Sequence, residues 1–363
     1  MSLELPQISK FRRQLLAWYA KTKRDLPWRR SHDPYSVWVS EVMLQQTRVT
    51  AAIPYYERFL HRFPDFYRLA ESLETDLLAH WAGLGYYYRA RNMQKAARRM
   101  AEDGAFPSTY DAIRDLPGVG DYTAAAVASI SFNLPHAVVD GNVLRVLSRV
   151  DDDATDIATA LGKKRFTVLA ETLLDRHHPG EYNQALMELG ATVCLPKNPQ
   201  CLICPVCDLC LGRARGRQND LPVKARPQKS VEENRTLYWI EDGDRLLLWQ
   251  RPVDSSLMPG FWELPEAEHL PGVRSEESAG SFRHTITFHN YLFTVQLAQP
   301  PGDIGCCQWI EKARLTDHSH AQGVTPDGYH LHQPPAAIAL STIVRKAQKL
   351  VSAARTGVAA GAG

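Results

Sequence analysis

Five of the seven cysteines lie between positions 194 and 210, and no other feature constrains the fold of this chain as strongly. Their spacing is Cys194-x6-Cys201-x2-Cys204-x5-Cys210, with Cys207 as a fifth thiol inside the last gap. Four thiolates this close in sequence can close around one metal centre, and both zinc and a [4Fe–4S] cluster accept four thiolates. The set Cys204-x2-Cys207-x2-Cys210 is an alternative group of ligands. Clustered cysteines in a long chain predict a metal site in a reducing compartment instead of a disulfide framework.

The composition is that of a globular protein, and a length of 363 residues predicts two or three domains. Of 363 residues, 44% are hydrophobic and 23% are charged, which excludes a disordered chain, a collagen-like repeat and a disulfide-dense mini-protein. The net charge of +2 conceals two basic stretches: residues 1–100 carry 17 Lys/Arg against 9 Asp/Glu, and residues 213–229 carry 6 against 1. Such stretches fit a surface that faces a polyanion, and solvated helix faces explain them equally well.

The sequence offers no segment for secretion or membrane insertion. The N-terminus lacks the apolar core of a signal peptide, and no apolar run approaches the roughly 18 residues that cross a membrane. The longest candidate, Ala124–Phe132, is short and rich in small residues. We therefore expect a soluble, cytoplasmic protein without membrane contact.

Up to about residue 227 the hydrophobic pattern is helical. One face of a first amphipathic helix is formed by residues three and four positions apart, namely Ile8, Phe11, Leu15, Trp18 and Tyr19. Pro and Gly punctuate the region at short intervals, and no β-branched run long enough for a strand pair precedes residue 230. The prediction is an all-α domain over residues 1–212, followed by a basic, Pro- and Gly-bearing linker over residues 213–230.

Beyond the linker the pattern changes to α+β. Strand-like runs on both sides of Glu241–Asp244 form a hairpin signal. Apolar residues alternate through Thr285–Leu297 with one slip near Asn290, and Ala336–Lys349 has the spacing of a helix. We predict a second domain over residues 231–355 and a flexible tail over residues 356–363.

Two glycines at alternate positions mark a turn between helical stretches. Gly118 and Gly120 let the backbone of Leu116–Ala124 adopt positive φ and expose N–H groups, which form a phosphate cradle beside the N-terminus of the next helix. An ordinary turn is the simpler interpretation of such a pair, so the pattern by itself leaves both readings open.

Two carboxylates stand in unusual settings. Asp140 follows an apolar pair and is placed to cap the next helix, whose N-terminus favours the ionised form. Glu41 lies in the apolar helix Ser36–Thr47, so its carboxyl either faces solvent or is desolvated. Desolvation would raise its pKa and make it a proton donor near neutral pH. One neutral and one charged carboxyl form the pairing that serves an oxocarbenium-like transition state.

Together these motifs resemble a known family. The cysteine gaps of six, two and five are similar to the iron–sulfur loop of the endonuclease III superfamily of DNA glycosylases, which favours [4Fe–4S] over zinc and leaves Cys207 outside the ligand set. The glycine pair resembles the helix-hairpin-helix motif of that superfamily. With Ser40–Thr47 and Trp81–Tyr87, residues 8–212 resemble MutY-type adenine DNA glycosylases, which remove adenine mispaired with 8-oxoguanine. The C-terminal region resembles their MutT-like recognition domain.

The resemblance implies an architecture, a cofactor and a partner. The chain would be a multidomain protein with an all-α helix-hairpin-helix glycosylase domain, an iron–sulfur loop at residues 194–210 and a C-terminal α+β MutT-like domain. One [4Fe–4S] cluster would be held by Cys194, Cys201, Cys204 and Cys210. The partner would be double-stranded DNA containing an adenine mispair, bound by a monomer of a cytoplasmic, nucleoid-associated, bacterial-type protein.

The resemblance also implies roles at matching positions. Glu41 would protonate adenine N7 and later handle the water. Asp140 would stabilise the oxocarbenium ion, as an ion or through a covalent sugar intermediate, with support from Tyr122 and Asn142. The adenine pocket would be lined by Trp28, Arg29, Gln184, Met187 and Glu188. Duplex DNA would be contacted by the wedge residues Gln46 and Tyr86, and also by Thr47, Arg48, Gly118 and Gly120.

The C-terminal region departs from the family, and Tyr122 decides between this family and its relatives. In place of a Phe-Ser-His motif the chain has Phe282–His289, where Thr287 and His289 would stand in for the Ser and the His. The glutamate-rich pyrophosphohydrolase signature is missing, so we expect recognition without nucleotide hydrolysis. Endonuclease III-type enzymes carry a Lys where Tyr122 stands, and a tyrosine cannot form an imine. We therefore expect a monofunctional DNA glycosylase; an endonuclease III-like glycosylase/lyase and a non-catalytic iron–sulfur DNA-binding protein are the alternatives.

Overall fold

The computed structural model describes residues 4–225, 231–252, 254–255, 260–286, 289–315, 338 and 340–356. By their contacts the residues form two compact units: a first unit of residues 1–71 with 91–226, and a second unit of residues 72–90 with 227–363. An all-α region is followed by an α+β region, which confirms the fold class predicted from the sequence. None of the described helices is both long and apolar enough to span a lipid bilayer.

Up to residue 225, all regular elements among the described residues are helices. Short 3₁₀ turns at Pro27–Arg29, Cys201–Ile203 and Cys207–Leu209 lie among the α-helices. The α-helices are α1 (Leu5–Thr22), α2 (Pro34–Leu44), α3 (Val49–Arg62), α4 (Phe66–Glu71), α5 (Glu74–Trp81), α6 (Tyr88–Asp103), α7 (Tyr110–Arg114), α8 (Asp121–Phe132), α9 (Gly141–Val150), α10 (Ala160–Leu173), α11 (Pro179–Thr192) and α12 (Leu211–Ala214).

Two helices at the centre of the first unit are buried around most of their circumference. α2 buries Val37–Met43 without a break, and α8 buries Thr123–Ser129, a run of small residues that lets the two helices pack together. A helix that is apolar all round must be enclosed, because any solvent-facing side would expose hydrophobic area. Glu41 lies inside the apolar run of α2 and is therefore carried into the core.

The remaining core of the first unit forms around α1, α9, α10 and α11. The buried face of α1 consists of the residues whose spacing predicted it, namely Ile8, Phe11, Leu15 and Tyr19, and Trp18 packs against them half-buried. α9 contributes Val143, Val146 and Leu147 to the same cluster. This packing fixes the direction of α9 and so the position of the residue that caps it.

The first part of the predicted linker, residues 213–225, is anchored on the first unit. Arg215 and Arg217 both form ion pairs with the buried carboxylate of Asp152, at 2.7 and 3.0 Å. The side chain of Leu221 is also buried. Part of the positive charge of this segment is therefore neutralised within the fold.

Beyond residue 230 the second unit contains two sheets and a C-terminal helix. The elements are β1 (Val231–Trp239), β2 (Glu241–Asp242), β3 (Arg245–Gln250), β4 (Trp262–Glu263), β5 (Ser275–Ile286), β6 (His289–Ala298), β7 (Cys307–Glu311) and α13 (Thr342–Thr356). One sheet has the order β1-β6-β5, with β1 parallel to β6 and β5 antiparallel to it. In the other sheet β3 pairs antiparallel with β2, β4 and β7. The hairpin predicted around Glu241–Asp244 is right in its turn and second strand, but most of its first strand, Thr236–Ile240, belongs to β1 and pairs with β6 instead.

Two boundaries predicted for this region are wrong. The alternating stretch Thr285–Leu297 belongs to two antiparallel strands, β5 and β6, and the slip near Asn290 in its pattern accompanies the change from one strand to the other. The C-terminal helix begins at Thr342 and not at residue 336, since Leu340 forms a parallel bridge with Trp262 and is extended. Residues 357–363 of the predicted tail lie outside the described residues.

Candidate active site

Glu41 and Tyr122 meet in the core of the first unit. Glu41 lies on α2 and is only 6% exposed, and Tyr122 lies in the first turn of α8. The Tyr122 hydroxyl donates a hydrogen bond of 2.7 Å to Glu41 Oε2 and lies 3.6 Å from the sulfur of Met187. The packing of α2 on α8 thus places an acid beside a phenol that is 81 residues away in sequence.

Burial governs the protonation of Glu41. Desolvation raises the pKa of Glu41 from 4.5 to about 7, and the nearby charge of Asp140 adds to the rise, while the Tyr122 hydrogen bond and the charge of Arg29 oppose it. Of the two settings that the sequence left open, the structure shows the desolvated one. The carboxyl is therefore able to hold a proton near neutral pH, as a general acid must.

Asp140 caps α9, as its sequence position predicted. Oδ1 accepts the backbone N–H of Val143 at 2.7 Å, and Oδ2 accepts the side-chain amide of Asn142 at 2.8 Å. Burial raises the pKa of Asp140, and these hydrogen bonds oppose the rise. The sequence predicted only the acidifying effect of the helix N-terminus; the direction differs because the enclosure of the side chain outweighs the cap.

A pocket of about 210 Å³ opens between the two carboxylates. The residues predicted from the sequence that line it are Trp28, Arg29, Glu41, Thr47, Tyr122, Asp140, Asn142, Gln184, Met187 and Glu188. The prediction missed other lining residues, among them Arg24, Ser40, Val49, Ile130 and Ala191. No lysine is among the described residues of the lining. The hydroxyl of Thr47 is buried and has no hydrogen-bond partner among the described residues, so it is available to a ligand.

Glu188 holds an ion-pair network on one wall of the pocket. Arg24 donates to both Glu188 oxygens, at 2.7 and 2.8 Å, and Arg29 donates to Oε2 at 2.8 Å. Burial alone would raise the pKa of Glu188, but the hydrogen bonds from the two arginines lower it to about 2. Glu188 therefore stays ionised and can only accept hydrogen bonds. Arg24 gave no signal in the sequence, because its partner lies 164 residues away.

Arg145 connects the Asp140 side of the pocket to the cysteine loop. Its Nη2 donates to Asn142 Oδ1 and to the carbonyl of Gly190, both at 2.8 Å. Its Nε donates to the carbonyl of Cys194, also at 2.8 Å. Because Asn142 in turn donates to Asp140, a continuous chain of hydrogen bonds runs from that carboxylate to the first cysteine of the loop.

All five clustered cysteines line one cavity beside α9. Arg149, which is 1% exposed, places Nη1 at 3.2 Å from Cys194 Sγ and donates to the carbonyl of Leu195 at 2.7 Å. Arg149 therefore fixes the first cysteine of the loop and the residue after it against α9. In the part of the chain that the structure describes, no three Cys, His, Asp or Glu side chains converge as one metal ion would require. Four thiols on one cavity are a set of ligands that both a [4Fe–4S] cluster and a zinc ion accept.

The hairpin between α7 and α8 depends on Gly118. Its φ is +77°, and a Cβ at this position would lie 2.6 Å from the Cβ of Asn92. Gly120 has φ −104° and forms the N-cap of α8, so the prediction of positive φ at both glycines is wrong for Gly120. One left-handed residue is enough because the N–H of Val119 closes the turn on the carbonyl of Leu116 at 3.1 Å.

The two predicted wedge residues share an unusual backbone. Gln46 has φ +60° and Tyr86 has φ +48°, both in the left-handed region that residues other than glycine rarely adopt. Both side chains are exposed, and so is that of Arg48 at the N-cap of α3. Strained backbone of this kind persists only where its surroundings impose it, and it is common at functional sites.

One of the two residues predicted to recognise 8-oxoguanine is described. His289 Nδ1 lies 2.6 Å from Glu233 Oε1, across the parallel pair β1–β6, and the His289 ring stacks on Tyr291 with centroids 5.8 Å apart. Thr287 lies outside the described residues. The role of both residues in recognition stays a prediction.

Comparison with known proteins defines the class of this chain. Residues 39–166 match the model described as HhH-GPD superfamily base excision DNA repair protein. A thermostable thymine-DNA glycosylase structure matches with a TM-score of 0.52 and 28% identity, over 58% of this chain and 98% of that one. An endonuclease III–DNA complex, at a TM-score of 0.50 and 23% identity over 59% and 99% of the two chains, shares the fold. The helical region is that of a helix-hairpin-helix base excision repair protein.

Curated relatives narrow this class to one family. The adenine DNA glycosylase of Homo sapiens is 37% identical, over 76% of this chain and 61% of the human protein. That of Arabidopsis thaliana is 38% identical, over 86% of this chain and 55% of the plant protein, so the chain spans only part of these longer relatives. That of Buchnera aphidicola subsp. Acyrthosiphon pisum is 34% identical, over 66% of this chain and 72% of the relative. The chain belongs to the adenine DNA glycosylase family.

Proposed function

We propose that this chain is a monofunctional adenine DNA glycosylase, which hydrolyses the N-glycosidic bond of adenine mispaired with 8-oxoguanine or guanine. One observation carries the proposal: the buried pair Glu41–Tyr122 lines the same pocket as the capped carboxylate of Asp140. The names of the family members support adenine as the base that is removed.

The first chemical step is protonation of the leaving base. Glu41, with its pKa raised to about 7, donates a proton to adenine N7. The bond between C1′ and N9 then breaks, and its electron pair moves to N9, so that adenine leaves as a neutral base. Tyr122 holds the carboxyl through Oε2 and leaves Oε1 for the base.

The second step resolves the sugar cation. Positive charge develops over C1′ and O4′ as the base departs, and the carboxylate of Asp140, fixed by Val143 and Asn142, stabilises it. Water then forms a bond to C1′ and gives its proton to the carboxylate of Glu41, which restores the acid and leaves an abasic site. Because Tyr122 has no amine and no described lining residue is a lysine, an imine and the strand cleavage that follows it are not part of this reaction.

Polar residues that line the same pocket select the base. Glu188 accepts four hydrogen bonds from Arg24 and Arg29 and so fixes these two arginines at the edge of the pocket. The free hydroxyl of Thr47 and the amide of Gln184 offer further polar contacts. A pocket that hydrogen-bonds a specific edge rejects bases lacking it, because its buried polar groups would stay unpaired.

The cysteine loop would hold one [4Fe–4S] cluster through Cys194, Cys201, Cys204 and Cys210. The bound cluster supplies a covalent cross-link of the loop, and Arg145 joins that loop to the Asp140 cap. Cys207 lines the same cavity and is the ligand that the alternative set would use.

The remaining surfaces address the duplex. The amides at Gly118 and Gly120 and the side chain of Arg48 would contact phosphates, while Gln46 and Tyr86 would enter the stack where adenine leaves. The C-terminal domain at residues 231–355, joined to the catalytic domain (residues 1–212) through residues 213–230, would read 8-oxoguanine with Thr287 and His289. The protein would act as a monomer at the nucleoid.

Three duplexes test the proposed function. They carry adenine opposite 8-oxoguanine, adenine opposite guanine, or an oxidised pyrimidine, and abasic sites are scored after alkali with and without borohydride. We expect adenine release from the first two, no release of the pyrimidine, and no borohydride-trapped complex through Tyr122. Adenine left intact opposite both purines would refute the proposal. His289→Ala should lower the preference for 8-oxoguanine over guanine without lowering adenine release opposite guanine.

A further inference from the structure

Arg89, in the first turn of α6, is an arginine whose side chain is folded back on the loop before it. The residue is 3% exposed. Its Nη2 donates to the carbonyls of Leu84 and Gly85, both at 3.1 Å, and its Nε donates to the carbonyl of Tyr86 at 3.4 Å. The guanidinium carbon also lies 5.2 Å from the centre of the Trp81 ring and 5.6 Å from that of the Tyr86 ring.

The loop that Arg89 contacts, residues 82–87, has an unfavourable backbone conformation. Its residues Gly83, Gly85 and Tyr86 have φ of +101°, +68° and +48°, and for the tyrosine this conformation is sterically unfavourable. Trp81 adds one restraint, because its Nε1 donates to the carbonyl of Gly85 at 3.0 Å. The carbonyls of Leu84, Gly85 and Tyr86 thus accept hydrogen bonds from the buried side chains of Trp81 and Arg89. These hydrogen bonds hold the strained backbone in place.

Tyr87 anchors the same loop to the C-terminal part of the second unit. Tyr87 is 5% exposed, and its ring centre lies 4.1 Å from that of Phe261, which is also buried. Its hydroxyl accepts the N–H of Gly83 at 3.5 Å. The neighbouring Tyr86 is instead 38% exposed. Tyr87 therefore fixes the loop, whereas the adjacent Tyr86 projects from it.

We propose that Arg89 is a positioning residue for base extrusion, which presets the loop so that Tyr86 enters the duplex already ordered. The inference rests on the proposed function and on the insertion of Tyr86. A side chain inserted into the duplex compensates for the lost base stacking most fully when its loop is already ordered, because insertion then costs no further conformational entropy. Arginine suits this role because its rigid fork of donors reaches three carbonyls at once, whereas a lysine presents one ammonium group.

Fluorescence of 2-aminopurine, placed at the adenine position opposite 8-oxoguanine, tests the proposal. The signal rises when the base leaves the stack, whether or not the glycosidic bond is cut. We expect Arg89→Met to lose most of this rise and to slow single-turnover adenine release by about 10- to 100-fold. Arg89→Lys should fall between Arg89→Met and the wild type. The control is Arg68→Met, which removes an exposed arginine paired with Glu71 and should match the wild type in both assays.

A double variant separates positioning from a general structural role. If Arg89 acts through Tyr86, adding Arg89→Met to Tyr86→Ala causes no further loss, whereas independent losses would multiply and overturn the proposal. A wild-type fluorescence rise in folded Arg89→Met would also overturn it. Where Arg89→Met fails to fold, Arg89→Lys supports the same comparison. A wild type that releases no adenine would refute the proposed function instead, and the fluorescence comparison would still decide the role of Arg89.

Discussion

The hydroxyl of Tyr122 donates a 2.7 Å hydrogen bond to Glu41 Oε2, and this bond opposes the rise in pKa that burial imposes on Glu41. Enclosure favours the neutral acid, and the phenol favours the carboxylate. The pKa that results, about 7, suits a group that must first give a proton to the base and then accept one from water. Any change in either partner should therefore appear in the pH dependence of the reaction.

Tyr122→Phe should move the alkaline limb of the pH–rate profile upwards. The lost hydrogen bond stabilises the carboxylate, so its removal raises the pKa of Glu41 further, by about one pH unit or more for a bond to a charged group. Single-turnover adenine release measured across pH 5–9 reports the shift. The control is Tyr67→Phe, which removes a phenol bonded to the carbonyl of Gly104 on the surface. A limb that stays in place or moves to lower pH would contradict this account of Glu41.

Glu41→Gln should stabilise the protein at alkaline pH. The wild-type side chain contributes full stability below pH 4.5, the ordinary pKa, and loses it as the pH rises through the folded value of about 7. The corresponding cost of ionising the buried group is about 3 kcal/mol. Denaturant titrations should thus show a variant nearly equal to the wild type at pH 4.5 and more stable by up to that amount at pH 8. The control is Glu57→Gln, whose side chain is exposed. Equal stability of Glu41→Gln and the wild type at both pH values, or an equal gain in the control variant, would contradict the expectation.

Arg145→Met should affect the pocket and the cysteine loop together. The variant removes the donors to Asn142 Oδ1 and to the carbonyl of Cys194, so the Asp140 cap loses its support and the loop loses an anchor. We expect adenine release to fall by about 100-fold, the cost of slightly misplaced groups, together with a lower iron content per chain. Lys164→Met, on the exposed side of α10, is the control. Normal iron content and a normal rate of adenine release in Arg145→Met would show that Arg145 does not couple the pocket to the cysteine loop.

Gly118→Ala should weaken binding to every duplex by a similar factor. The new methyl would lie 2.6 Å from Asn92 Cβ at a φ of +77°, so the hairpin must move and its amides with it. Amides that address phosphates carry no sequence information, and the loss should be equal for matched and mispaired DNA. Gly104→Ala has a φ of +73° and open space around it, so it controls for backbone strain alone. A loss confined to mispaired DNA would argue against a phosphate cradle.

Much of the fold follows from local pattern. The helices are visible because their buried residues recur at three and four positions, and Asp140 signals a helix start because short acidic side chains cap helices. The boundary errors lie where local pattern carries no information. The reversal between β5 and β6 shifts the buried positions from even to odd residue numbers, and a β-bulge within one strand would produce the same shift. The late start of α13 depends on a bridge from Leu340 to Trp262.

The sequence predicts the acids of the candidate site but not the residues that hold the site in place. Glu41 attracts attention because an acid inside an apolar run is rare, but its burial depends on α8, which packs from another part of the chain. Arg24, Arg145 and Arg89 are ordinary arginines by sequence. Their roles come from partners that only the folded chain brings within reach, such as Glu188 at 164 positions away. Pairing of this kind leaves no periodicity to detect.

Single-turnover release of adenine opposite 8-oxoguanine, compared between the wild type and Glu41→Gln at pH 7, tests the central claim most directly. Glutamine keeps an acceptor for Tyr122 but has no proton to give, so release should fall by at least the roughly 100-fold that general acid catalysis contributes. Unfolding measured on the same samples verifies that the variant is folded. Adenine released by the wild type and lost in a stable Glu41→Gln variant is the predicted result. A variant that cuts at the wild-type rate would contradict the assignment of Glu41 as the acid.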